Sequence, residues 1–171
     1  DSNRHLALLK LSELILINRE NLVSLIIFEA GKTLEEAIAD VDEAIDFIQF
    51  YTKEYFNIKL NSPSYTSKGV FGIIAPWNFP LAIPVGMSVS ALVTGNTVLL
   101  KPAEQTPLIA LEFLKLARES GIDQSVFDIA FGAGDIGASI VDHDLVSGVV
   151  FTGSRAVGSQ IYQKLKSQHT S

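Results

Sequence analysis

The chain has no cysteine among its 171 residues. Disulfides, thiolate metal sites and a cysteine nucleophile are therefore excluded from it. Histidine is scarce, and His5, His143 and His169 fall into no evident serine-hydrolase pattern. Positive charge is also short: 13 lysines and arginines face 19 aspartates and glutamates, a net charge of −6. That balance leaves no basic face for non-specific nucleic-acid binding. The opening Asp1–Lys10 lacks the charged-then-apolar order of a signal peptide, so a cytoplasmic location is the expectation. Charge is missing altogether from Gly69 to Leu100. A membrane span needs such a run, but Pro76, Asn78, Pro80, Pro84, Gly86, Gly95 and Asn96 interrupt it and its ends have strand character. We read it as buried strand, helix, strand, with no membrane span.

What is present suits a folded α/β protein. Hydrophobic residues make up 47% of the chain and charged residues 19%, a globular composition. The length suffices for one domain of about 100–150 residues and part of another. Apolar spacing predicts helices over Asn3–Ile17 and Arg19–Glu29, with the Asn18 side chain capping the second and Gly31 ending it. Thr33 and Glu36 form a capping box that opens a helix to about Phe56. Leu34, Ala37, Ile38, Val41, Ile45 and Ile48 make its buried stripe, and Glu35, Asp40, Asp42, Glu43 and Asp46 are assigned to a solvated face. Asn61–Lys68, with Pro63 and several Ser and Thr, reads as a boundary between an N-terminal helical segment (1–62) and a second unit (63–171). There the period changes. Gly69–Ile74, Thr97–Leu100, Val126–Phe131 and Gly148–Phe151 read as strands, alternating with helices near Leu81–Val93, Pro107–Ser120, Ile136–Val141 and Arg155–Lys166. Such alternation implies right-handed βαβ units: N-terminal helices followed by an incomplete parallel, Rossmann-like sheet.

The polar residues that interest us lie where strands give way to helices, the ligand-binding edge of an open α/β sheet. Gly132-Ala133-Gly134-Asp135-Ile136-Gly137 spells G-x-G-x-x-G. It follows the third strand and not the first, and Phe151–Ser159 contains no ribose-binding acid, so a plain glycine turn competes with a cofactor loop. Lys101 and Glu104 leave the second strand together and suit a ribose diol. A 2′-phosphate would meet the Glu104 charge, which favours NAD over NADP; a simple ion pair at a helix start is the alternative. Ser154 either presents a pyrophosphate site or caps the last helix. Asn78, set among Trp77, Phe79 and two prolines, either donates to a developing oxyanion or caps the helix that starts near Pro80. Asp142-His143-Asp144 hints at metal ligands but reads better as a polar loop, and no metal is expected.

Taken together, Phe71–Pro80, Gly95–Val98, Lys101–Pro107 and Phe151–Ser154 resemble the aldehyde dehydrogenase superfamily in order and spacing. Glu29–Thr33 with Asp40-Val41, Glu43-Ala44 and Asp46-Phe47 is most similar to the Δ1-pyrroline-5-carboxylate dehydrogenase branch, which includes the dehydrogenase part of bifunctional proline-utilisation proteins. The resemblance implies that Asn78 is the oxyanion donor and Phe79 part of the aldehyde tunnel. It implies that Ile74, Ala75, Pro76 and Trp77 border NAD and that Lys101 and Glu104 hold its adenosine ribose. Gly134 and Gly137 would admit the dinucleotide to the backbone, and Ser154 would face the pyrophosphate. Met87 departs from the polar Lys or Gln of many relatives. The family's cysteine nucleophile and glutamate base have no counterpart here. The chain is accordingly expected to be the amino-terminal part of a longer, self-associating enzyme that oxidises glutamate semialdehyde, and to be inactive alone. A non-catalytic nucleotide-binding or dehydrogenase-partner module is the competing reading.

Overall fold

The computed structural model describes residues 2–61 and 64–168. Three helices come first, α1 (Ser2–Ile17), α2 (Arg19–Ala30) and α3 (Leu34–Asn61). Strands and helices then alternate: β1 (Val70–Ile74), α4 (Ala82–Val93), β2 (Thr97–Lys101), α5 (Pro107–Ser120), β3 (Phe127–Ile129), α6 (Gly134–Asp142), β4 (Val146–Phe151) and α7 (Arg155–Gln168). The uncharged stretch is thus β1, α4 and β2, as its punctuation implied. Among the described residues no helix is long and apolar enough to cross a membrane.

All strand pairs are parallel and the order is β3-β2-β1-β4. The chain steps from β1 to β3 in one direction, then crosses back to lay β4 on the other side of β1. Right-handed crossovers put α4 and α5 on one face of the sheet and α6 on the opposite one, where α6 packs on β1, β4 and α7. The direction reverses between β1 and β4, and their register sets Ile74 beside both Lys101 and Phe151. This is the topological switch point, where the carboxyl ends of the strands leave a crevice for ligands.

The N-terminal helices cover α4 and α5, and one core runs from Leu8 and Leu11 through Ile48, Val85 and Phe113 to Phe127. Two carboxylates stitch these layers together. Glu29 accepts the Leu108 and Ile109 amides, both at 2.8 Å, and so caps α5. Asp40 accepts the Ala82 amide at 2.7 Å and caps α4. Neither helix has a side-chain cap from its own preceding residue, so donors that would otherwise be left unpaired are satisfied from a neighbouring layer.

Local chemistry explains the helix ends. Gly31 takes φ 66°, a left-handed cap suited to glycine, and returns its amide to Ile27. Thr33 and Glu36 exchange the hydrogen bonds of a capping box, at 3.0 and 3.3 Å. Other expectations need correction. Asn18 does not cap α2 with its side chain; its Nδ2 donates back to the Leu14 carbonyl and closes α1 instead. Leu34 is 59% exposed because the buried stripe starts a turn later, at Ala37. α3 runs to Asn61, not Phe56, since Tyr55 is buried and the Phe56 ring packs edge-on against His5. Asp40 is wholly buried rather than solvated.

Candidate cofactor crevice and oxyanion turn

The carboxyl ends of the strands form two separate settings. The first is a cavity of about 460 Å³ between α6, α7 and the ends of β1 and β2. Ile74, Lys101, Glu104, Gly134 and Gly137 all line it, so five of the proposed cofactor residues meet there. Apolar Ala138, Val141, Val157 and Ile161 form the groove between the two helices, and the Asp142–Lys164 ion pair, at 3.0 Å, closes its rim.

Lys101 ends β2, and Glu104 stands three residues on with its carboxylate 3.1 Å from Nζ. The two lie on opposite sides of the solvent boundary, with side-chain exposures of 7% and 52%. The hydrogen bond from Lys101, then the Glu104 amide and the Lys101 charge, hold the Glu104 carboxyl below its ordinary range. It therefore stays an acceptor at neutral pH, backed by a largely buried cation.

The three glycines of the G-x-G-x-x-G differ in role. Gly132 has φ 151° and a side chain there would collide with Ile136, so the turn itself requires it. Gly134 and Gly137 have no positive φ. A Cβ at Gly134 would meet nothing within 4 Å, and one at Gly137 only Ile74 in ordinary contact. The protein's own packing does not need these two glycines, and their bareness leaves room in the cavity. α6 begins at Gly134, which lines the cavity, and Ala133 before it provides no side-chain cap.

The second setting is the turn after β1. Ala75 donates its amide to the Lys101 carbonyl at 3.1 Å and is buried, which anchors the turn to the sheet. Trp77 and Phe79 are 53% and 40% exposed, and with Asn78 they border a cavity of about 500 Å³ whose other wall is Gly31, Lys32, Glu36 and Ala39. Asn78 does not cap α4; Asp40 does. Hydrogen bonds from Thr33 hold the Glu36 carboxyl low, so a carboxylate flanks this cavity.

Pro76 lines neither cavity, and Ser154 lies apart from both. It faces an open depression of about 800 Å³ on α7. Its Oγ accepts the Val157 amide at 3.3 Å, which is the N-cap alternative in place. Asp142 is committed to Lys164, and His143 Nδ1 accepts the Leu145 amide at 3.2 Å. Among the described residues no three potential metal ligands come together. Met87 accepts a weak hydrogen bond from Thr152 at 3.6 Å.

Two residues that matter here escaped the sequence reading. Lys32 places its ammonium 2.8 Å from Asp40 and 3.9 Å from the centre of the Phe79 ring. Asp40 links that ammonium to the start of α4. Its position on the buried face was legible, since Ala37, Asp40, Val41 and Ala44 share one helical stripe; the assumption that acidic residues face water hid it.

A doubly wound parallel sheet with a polar-ended cavity at its switch point defines a nucleotide-binding class of α/β fold. Within that class the chain belongs to the aldehyde dehydrogenase family, whose model matches residues 2–171. It is 42% identical over 158 residues to the 1-pyrroline-5-carboxylate dehydrogenase of Bacillus cytotoxicus, covering 85% of this chain and 31% of that protein. Its structure is similar to the 1-pyrroline-5-carboxylate dehydrogenase from Thermus with bound NAD: TM-score 0.90, 34% identity, 94% of this chain and 34% of that one. It is also similar to proline utilization A from Bdellovibrio bacteriovorus, with TM-score 0.90, 38% identity, 94% of this chain and 18% of that one. The chain thus spans about 31% of the curated relative's length. It resembles a part of these enzymes, as the missing cysteine implied.

Proposed function

We propose that this chain supplies the NAD crevice and the oxyanion amide of an aldehyde dehydrogenase that oxidises L-glutamate γ-semialdehyde to glutamate. The observation that carries the proposal is the meeting of Ile74, Lys101, Glu104, Gly134 and Gly137 around one cavity of about 460 Å³. The apolar groove between α6 and α7 suits a flat base. Glu104 accepts from the two ribose hydroxyls, and Lys101 has further donors beside the one it gives to Glu104. The unfilled space over Gly134 and Gly137 lets the dinucleotide approach the backbone. A 2′-phosphate would be set against an ionised Glu104, so NAD is preferred to NADP. NAD, when bound, supplies the hydride acceptor.

On the other side of the β1 end, Asn78 offers its amide to the aldehyde oxygen, and Trp77 and Phe79 shield that oxygen from water. A donor of this kind lowers the barrier by on the order of 2.7–4 kcal/mol. The residues here bind, orient and stabilise; the nucleophile is not among them, so the chain alone is not expected to turn over aldehyde. The substrate assignment is supported by the kinship with 1-pyrroline-5-carboxylate dehydrogenases.

Calorimetric titration with NAD, NADP and a Lys101→Ala/Glu104→Ala variant tests the cofactor reading. NAD binding that exceeds NADP binding and disappears in the folded double variant is expected. Equal binding by the double variant would overturn the assignment of the crevice.

A further inference from the structure

Asp40 lines neither cavity, yet both of its oxygens are committed. Oδ1 accepts the Ala82 amide at 2.7 Å and Oδ2 accepts the Lys32 ammonium at 2.8 Å. Side-chain exposure is 0% for Asp40 and 11% for Lys32. Charges so far from water persist when geometry and hydrogen bonding are good, and removing one partner strands the other. The same ammonium stands 3.9 Å from the centre of the Phe79 ring, within cation–π range. One buried ion pair therefore grips the turn that carries Trp77, Asn78 and Phe79 twice, through the start of α4 and through the Phe79 ring. The Ala75 amide, bonded to the Lys101 carbonyl, fixes the other end.

An amide that stabilises developing charge works because it is fixed before the charge appears. Asn78 is exposed and lies outside every helix and strand, so its placement must come from whatever holds the ends of its turn. We propose that Lys32 and Asp40 are positioning residues that hold the Asn78–Phe79 turn in its working geometry. The functional meaning rests on reading Asn78 as the oxyanion donor, whereas the rigidity of the turn can be tested without that reading.

Trp77 is the sole tryptophan and sits in the turn, so its fluorescence anisotropy decay reports the turn's motion directly. Lys32→Met combined with Asp40→Asn removes both charges without stranding one, and keeps an acceptor for the Ala82 amide. Expected is a variant with unchanged far-UV circular dichroism in which Trp77 loses its slow anisotropy component. Lys32→Arg alone should keep it, because a guanidinium can pair with the intact Asp40 and stack on Phe79. A folded double variant whose Trp77 moves no more than in the parent chain would overturn the proposal, as would a Lys32→Arg chain as loose as the double variant. Hydrogen exchange on the unmodified chain serves if the double variant does not fold. The Ala82 amide, held by the buried Asp40 carboxylate, should exchange at least about tenfold more slowly than a freely exposed amide, reflecting one charge-assisted bond, and unprotected exchange there would overturn it. A chain that binds no NAD but keeps a rigid turn would support this proposal and remove only the cofactor reading.

Discussion

Glu104 and Glu36 are both exposed carboxylates held ionised by specific donors, and the sign of their pH dependence follows. Lys101 lowers the Glu104 carboxyl, and the Thr33 amide and hydroxyl lower that of Glu36, each from an ordinary value of 4.5. A group whose pKa is depressed on folding contributes stability that is complete above its unfolded value and is lost as pH falls through its folded one. NAD affinity should therefore be flat from neutral pH to the ordinary glutamate range and decline only below it. A calorimetric pH series checks this, and Lys101→Met should move the decline to higher pH. Thr33→Val should likewise raise the Glu36 pKa toward 4.5, read by carboxyl carbon NMR titration. The glycines yield a second residue-level prediction. Gly134→Ala fills open space and should leave stability nearly unchanged while weakening NAD binding. Gly132→Ala forces a side chain onto Ile136 at φ 151°, and should cost more than about 1 kcal/mol in a denaturant melt without touching the crevice. Sequence alone could not separate these glycines, because the motif is the same string whether the backbone, the packing or a ligand demands each position.

Elements were the most legible scale, for a physical reason. Each helix is amphipathic or flanked by a cap, and β1, β2 and β4 are short runs with β-branched residues between turn residues, so local signals agree with the fold. β1, α4 and β2 were readable in an uncharged stretch because proline and glycine punctuate it. What could not be read locally was which element caps which. α4 and α5 draw their caps from Asp40 and Glu29, 42 and 79 residues earlier, and no window of sequence spans such a contact. Glu29→Ala should accordingly behave as a lost N-cap of α5, costing about 1 kcal/mol, although Glu29 lies in a different helix. Hydrogen exchange should place the loss at Leu108 and Ile109. Core packing sets the contrast in magnitude: Phe113, 1% exposed and 5.1 Å from the Phe127 ring, should cost about 3–5 kcal/mol when changed to alanine. Equilibrium denaturation of the two variants side by side reads both numbers.

At the scale of the whole molecule, the sheet separates two kinds of work. The N-terminal helices, α4 and α5 occupy one face and hold most of the apolar core, whereas α6 and α7 occupy the other and form the groove of the proposed NAD crevice. The Asn78 turn lies between them and is tied to the first face by Lys32 and Asp40. Mutations at sites that share no partner add nearly independently. Stability and cofactor affinity should therefore be separable by face: Phe113→Ala lowers the melt but leaves the affinity of the folded chain for NAD unchanged, and Gly134→Ala does the reverse. Ligand binding to the native state alone adds about 2.7 kcal/mol at one hundred times Kd, so saturating NAD should raise the denaturation midpoint of the parent chain and of Phe113→Ala by the same free energy. Added protection against hydrogen exchange at low denaturant should fall first on α6, α7 and the end of β2, where the ligand's contacts are. Protection confined to α1–α3 would instead put the nucleotide on the wrong face and remove the crevice reading. Equal gains in the two chains, with that regional pattern, would establish that the core face supports the crevice without setting its affinity.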